Sequence, residues 1–254
     1  MIAHRIPELH MIPAIITDHY NRGTIMQTDQ SKLDCARIDS DLEASLDPIE
    51  ARAELVRFSH ASARAGLMGS TCGNASLKID AHRFLITGTG TELAHLRDNE
   101  IALVSIDDGR HLDGPRPSVE AELHRLVYAG RASARAILHC QSRAATLAAC
   151  MVDPPENLDF IGEIPAYVGR FASVPFLMPG SPELAQAVAA AFTDPEVTTV
   201  QMRNHGQVLI GSSWAKAIRR GVFFELACWM AVQGVPLTRI PTEQADELRR
   251  MSSV

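Results

Sequence analysis

The residues best suited to chemistry fall in three short segments: Pro117-Ser118-Val119-Glu120, Ile137-Leu138-His139-Cys140-Gln141 and Arg203-Asn204-His205-Gly206. Together they offer one carboxylate and two imidazoles at the ends of apolar runs. A mononuclear catalytic metal centre needs about three protein ligands and an open position, and Glu with His supplies the hard and borderline donors that Zn²⁺, Mn²⁺ or Fe²⁺ accept. Each residue also has an ordinary reading. A lone His at a strand end is commonly a satisfied structural residue, and a carboxylate at a helix start is favoured by the exposed amides and helix dipole alone. His124, four residues after Glu120, either orients that carboxylate or faces solvent, the commoner fate of a helical His. Cys140 alternates with His139 and Gln141 along a strand and is expected to face the core.

The elements that must position these side chains follow from local pattern. Asp47 and Pro48 carry the N-cap and first-position signals of a helix through Leu55, Val56 and Phe58, ending at Gly66. Short strands are expected at Ser76 to Ile79, Arg83 to Thr87 and Ile101 to Ile106, forming a meander that runs into the Asp107-Asp108-Gly109 turn. Ser118 is placed to cap a helix from Val119 to Ala129, with Glu120 in its first turn and His124 on the same face. The apolar strand Ala134 to His139 presents His139 at its end, where a ligand leaves the sheet and faces a cleft. A helix from Ser142 to about Cys150, a strand over Tyr167 to Val174 and a Ser-capped helix from Pro182 through Phe192 follow. Val197 to Met202 is the strand that delivers His205, Gln207 to Ile210 continues the sheet, and a long helix runs from about Ser213 to Gln233. The tail after Pro236 reads as polar.

The chain has 254 residues, 46% apolar and 21% charged, with a formal charge of -6. That composition suits one globular domain over residues 47–254 and an N-terminal extension over 1–46, which is either a loose arm or a stretch preceding a start at Met26. The negative charge gives no electrostatic reason to expect nucleic acid or an anionic membrane as partner, which leaves a small molecule. Five cysteines at irregular spacing suit a reducing cytoplasm. No stretch approaches the roughly 20 apolar residues of a membrane helix.

Read in order, Gly73-Asn74-Ala75-Ser76, Ile86-Thr87-Gly88-Thr89-Gly90, Pro117-Ser118-Val119-Glu120, Leu138-His139-Cys140-Gln141 and Asn204-His205-Gly206 resemble the class II aldolase/adducin family, over a span from about Pro48 to Gly234. The resemblance implies an α/β fold, three layers α/β/α with a largely antiparallel central sheet. It also implies a cyclic homotetramer with the active site at a subunit boundary, and a divalent metal, Zn first with Mn or Fe as alternatives. In the family the metal is held by an HxH pair and a later His, which puts His139 and His205 in the shell with Glu120 as an extra ligand or acid/base. Gln141 stands where the second His of the pair would be. Three readings are open there: Gln141 ligates through its amide oxygen, Glu120 becomes the third permanent ligand, or the site has lost its metal.

The resemblance further implies an anion pocket at Asn74, Ser76, Thr89, Gly90 and Ser118, where hydroxyls and backbone amides hold a substrate phosphate. Val119 replaces a second hydroxyl that phosphate-using aldolases often place after that Ser, so a carboxylate is an alternative occupant. Arg116, Arg143 and Arg203 adjoin these motifs and are candidate anion partners. The implied activity is metal-dependent carbon-carbon cleavage of a short hydroxy-keto, sugar-phosphate-like compound through a metal-stabilised enediolate, with Glu120 moving the proton. Decarboxylation of a hydroxylated acid uses the same electron sink. Two further alternatives are a non-catalytic adducin-like assembly module and a non-haem Fe(II) oxygenase built on two His and one carboxylate.

Overall fold

The strands are β1 (Asn74–Lys78), β2 (Arg83–Thr87), β3 (Ile101–Ser105), β4 (His111–Asp113), β5 (Ala136–Cys140), β6 (Arg170–Val174), β7 (Val197–Met202) and β8 (Gly206–Gly211). In this computed structural model, which describes residues 46–252, they form one sheet in the order β4-β3-β2-β1-β5-β8-β7-β6. Every neighbouring pair is antiparallel except β6 with β7. The N-terminal extension lies outside the described residues apart from Leu46, as does Cys35.

The helices are α1 (Pro48–Arg64), α2 (Ala121–Gly130), α3 (Arg143–Cys150), α4 (Pro182–Ala191), α5 (Trp214–Val232) and α6 (Thr242–Ser252). Period-2 alternation divides the central strands between two cores. Phe84, Ile86, Ala102, Val104, Ile137, Val208 and Ile210 pack with Leu123 and Val127 of α2 and Leu184 and Val188 of α4. Ala75, Leu77, Leu85, Ala136, Leu138, Cys140 and Leu209 pack on the opposite face with Leu55 and Phe58 of α1 and Ala217 of α5. A third cluster joins α3 to α5 through Ala145, Ala148, Phe224 and Cys228. The result is the expected α/β/α layering over a largely antiparallel sheet. Cys140 lies in the core, as strand alternation requires.

Local signals hold where they are chemically specific. Asp47 Oδ1 accepts from the amides of Ile49 and Glu50, and Ser181 Oγ accepts from Leu184, capping α1 and α4. Three expectations are corrected. α2 starts two residues later than expected: Val119 and Glu120 form a turn closed by the Ala121 amide on the Ser118 carbonyl, Ser118 Oγ accepts from the Glu120 amide, and Glu120 itself is the residue before the helix. The run from Tyr167 splits at Gly169, where φ is +69°, into one turn of π-helix (Ile164–Val168) and β6. The polar tail contains α6, which buries Ala245 and pairs Arg249 with the buried Asp159 at 2.6 Å. Among the described residues no helix is long and apolar enough to cross a membrane. The four described cysteines, Cys72, Cys140, Cys150 and Cys228, are free thiols.

Candidate metal centre

His139 shares the strand face of Ile137 and therefore points towards the layer that carries α2. Its register partner on β1 is Asn74, and on β8 it is Val208. Two glycines allow this close approach. A Cβ at Gly73, where φ is +90°, would stand 2.4 Å from the His139 carbonyl oxygen, and one at Gly206 would stand 2.5 Å from that of Cys140. His205 sits in the hairpin turn between β7 and β8, preceded by Asn204 in the left-handed region at φ +54°. The turn is pinned from both layers: the Arg203 amide donates to the Val174 carbonyl, the Asn204 amide to Ala149 and the Arg203 guanidinium to Met151.

Glu120 completes the group. Its Oε2 lies 3.2 Å from His139 Nε2 and its Oε1 3.5 Å from His205 Nε2, and ligand atoms of all three lie within 4.8 Å of one another. The side chains of His139, Glu120 and His205 are 2%, 6% and 8% exposed, so His205 marks the more open side. Glu120 makes no capping bond to α2. Helix-dipole stabilisation is thus displaced as the account of this carboxylate: it turns to the imidazoles and accepts from Asn74 Nδ2 at 2.9 Å.

The electrostatics fit a ligand. Burial pushes the Glu120 carboxyl up, but the adjoining His139, the Asn74 amide and His205 outweigh it and hold it below the usual carboxylate range. Burial, with His139 beside it, pushes His205 down against the pull of Glu120, which favours the neutral imidazole that a metal requires. Glu120 Oε1 and His205 Nδ1 are buried without a hydrogen-bond partner. An orphaned carboxylate oxygen facing an imidazole nitrogen is costly unless something cationic satisfies it, so two His and one Glu suit a divalent ion. His139 is oriented from behind: its Nδ1 lies 3.1 Å from the Gln207 carbonyl oxygen, leaving Nε2 for the ligand side. Gln207 Nε2 in turn donates to Ser142 Oγ, which donates to Glu225.

The other predicted site residues divide into two groups. Antiparallel contacts of Gly88 with Pro117, Thr89 with Arg116 and Ser118 with Thr87 align residues 87–89 with 116–118, which sets Thr89 beside Arg116 and the buried Ser118 beside Thr87. Thr89 and Gly90 are exposed there, and Val119 is 56% exposed. Asn74 and Ser76 are instead buried beneath the centre, with Asn74 committed to Glu120 and Ser76 to His124 and Tyr128. Gln141 follows β5 half-buried, its Cγ beside Gly206 and thus near His139. Arg116 and Arg143 are exposed, and Arg203 anchors the hairpin. The N-terminus of α3 is filled by Glu225, which accepts from the amides of Ala144 and Ala145, so it offers no anion site.

Sequence reasoning favoured a solvent-facing His124, and the structure corrects this. The residue is fully buried, with Nε2 2.6 Å from Asn74 Oδ1 and Nδ1 2.6 Å from Ser76 Oγ. Tyr128 was missed, although the spacing of Glu120, His124 and Tyr128 by four residues marks one helical stripe.

Residues 53–232 match the sequence pattern of the Class II Aldolase and Adducin N-terminal domain. The chain belongs to the class II aldolase/adducin family. Among its relatives, 3-oxo-tetronate 4-phosphate decarboxylase of Pectobacterium atrosepticum is 30% identical over 179 residues, 67% of this chain and 79% of the relative. L-fuculose phosphate aldolase of Methanococcus maripaludis is 31% identical over 156 residues, 61% of this chain and 81% of the relative. The solved structure of YgbL from Klebsiella pneumoniae superposes with a TM-score of 0.74 at 26% identity, covering 80% of this chain and all of that one.

Proposed function

We propose that this chain is a divalent-metal-dependent carbon-carbon lyase that decarboxylates a phosphorylated 3-oxo acid. The observation that carries the reading is the place of Glu120 between His139 and His205, where it would serve as the third permanent ligand. When bound, the ion supplies a Lewis-acid sink for the electron pair released as the carbon-carbon bond breaks. A carboxylate held by two imidazoles and the Asn74 amide is poorly free to act as a base. Aldol cleavage begins with removal of a hydroxyl proton, whereas loss of CO₂ from a 3-oxo acid needs no base to start. Bond cleavage leaves its electron pair on the carbonyl oxygen, and solvent returns a proton to carbon. Similarity to decarboxylases named for a 3-oxo-tetronate 4-phosphate supports the same choice.

Thr89, Gly90 and Ser118, on these two paired segments, would hold the phosphate, with Arg116 beside Thr89. Zn²⁺ is the leading ion, Mn²⁺ or Fe²⁺ the alternatives. The reading includes a homotetramer in a reducing cytoplasm, the latter supported by the free cysteines. Aldol cleavage is the second reading, favoured by the similarity to L-fuculose phosphate aldolase.

The test is CO₂ release from 3-oxo-tetronate 4-phosphate by protein whose metal content has been measured. We expect release that a chelator abolishes and that His139→Ala loses together with the metal. Cleavage of L-fuculose 1-phosphate without CO₂ release would move the assignment to the aldolase. A metal-loaded chain inert towards both would overturn this choice of reactions.

A further inference from the structure

A line of five buried polar groups runs away from the metal centre. Glu120, just before α2, and His124 and Tyr128 on it form one stripe, and beneath it Asn74 and Ser76 point up from the same face of β1. The order of contacts is Glu120 Oε2 to Asn74 Nδ2 at 2.9 Å, Asn74 Oδ1 to His124 Nε2 at 2.6 Å, His124 Nδ1 to Ser76 Oγ at 2.6 Å, and Ser76 Oγ to Tyr128 Oη at 2.8 Å. Its middle is closed to water, with Ser76 and His124 fully buried and Tyr128 1% exposed.

The chemistry of these groups fixes where each proton lies. A carboxylate only accepts, so Asn74 must turn its NH₂ to Glu120; the flipped amide would set two acceptor oxygens against each other. The Asn74 oxygen is then the acceptor for His124, whose Nε2 must carry the hydrogen. In a neutral imidazole Nδ1 is therefore the acceptor, and the Ser76 hydroxyl donates to it. That leaves the Ser76 oxygen to accept from Tyr128. Burial pushes the His124 pKa down to about 3, consistent with a neutral ring.

We infer that His124 is a positioning residue for the metal centre, holding Asn74 and through it the Glu120 carboxylate in ligating orientation by a hydrogen-bond chain in which every proton points towards Glu120. The inference rests on Glu120 being a metal ligand. Bonds aligned in one direction polarise one another, so the chain strengthens the Asn74 bond to the carboxylate. It does not conduct protons, because the Asn74 amide cannot pass one on without becoming its imidic acid.

Two measurements on the full chain test this: the His124 tautomer by ¹⁵N-resolved imidazole NMR, and the Zn²⁺ Kd by chelator competition. We expect the Nε2–H tautomer. His124→Phe, which keeps a ring but neither nitrogen, should weaken Zn²⁺ binding about 10- to 100-fold, the range for loss of an outer-shell partner. His124→Gln, which keeps a donor and an acceptor, should recover most of that loss. Should His124→Phe not fold, Ser76→Ala, which frees the tautomer but leaves Asn74 and Glu120 in place, should still weaken binding several-fold. An Nδ1–H tautomer, or a folded His124→Phe that binds Zn²⁺ like wild type and is merely less stable, would overturn the inference. Wild type that binds no Zn²⁺ while showing the Nε2–H tautomer would overturn the metal reading beneath it.

Discussion

Glu120 and Gln141 compete for one role, and the geometry separates them. Glu120 reaches both imidazoles, whereas Gln141 lies half-buried past the end of β5 and brings only a neutral, weakly basic oxygen. Removing the carboxylate leaves two imidazoles, too few for a stable mononuclear site. Glu120→Ala is expected to lower bound metal to a small fraction of wild type, and Gln141→Ala to leave it nearly unchanged, in elemental mass spectrometry of protein purified without added metal. The reverse order would make Gln141 the third ligand. At this scale His139, His205 and Glu120 are readable in sequence because ligand types stand at the ends of apolar runs. The role of His124 is not, since its partners Asn74 and Ser76 lie 50 and 48 residues upstream and meet it only where α2 packs over the face of β1.

The β7–β8 hairpin carries His205 and leans on the strand that carries His139, so its fit against β5 is a property of the candidate site as well as of the sheet. Gly206 sets that fit. A methyl there would meet the Cys140 carbonyl oxygen at 2.5 Å and Gln141 Cγ at 2.8 Å, and the backbone atom cannot move aside as a side chain would. Gly206→Ala is expected to cost about 1–3 kcal/mol in urea unfolding, the range for overpacking, and to weaken metal binding as His205 shifts. Unchanged stability and affinity would mean that the hairpin yields freely. Elements with specific local chemistry were readable from sequence: β2 and β7 have the expected bounds, and Asp47 and Ser181 cap their helices. β4 escaped because it is three exposed residues without alternation, and α6 because one buried alanine and an ion pair hold it in place of an apolar stripe.

For the whole molecule, the buried His124 links stability to pH with a definite sign. Its folded pKa of about 3 lies below the usual imidazole value of 6.5, so between those values the unfolded chain takes up a proton that the native chain does not. Stability from this residue is complete above pH 6.5 and is lost as pH falls towards 3. Between pH 6.5 and 5 the loss approaches about 2 kcal/mol, and His124→Gln is expected to flatten that part of the urea-midpoint profile. Equal slopes in the two proteins would assign the acid sensitivity to other groups. The three-layer architecture and its family were readable from motif order, while the depth of the polar line beneath the site was not, because a strand face reveals its partners only once the sheet is assembled. Glu120, His139 and His205 come from the lead into α2, the end of β5 and the β7–β8 turn, so an ion bound there would close two long loops of chain. Such an ion has no preformed site in the unfolded chain, and at a free concentration of about 100 times its Kd it adds roughly 2.7 kcal/mol to folding by mass action. Metal supply would then govern how long the protein survives proteolysis as well as how fast it turns over.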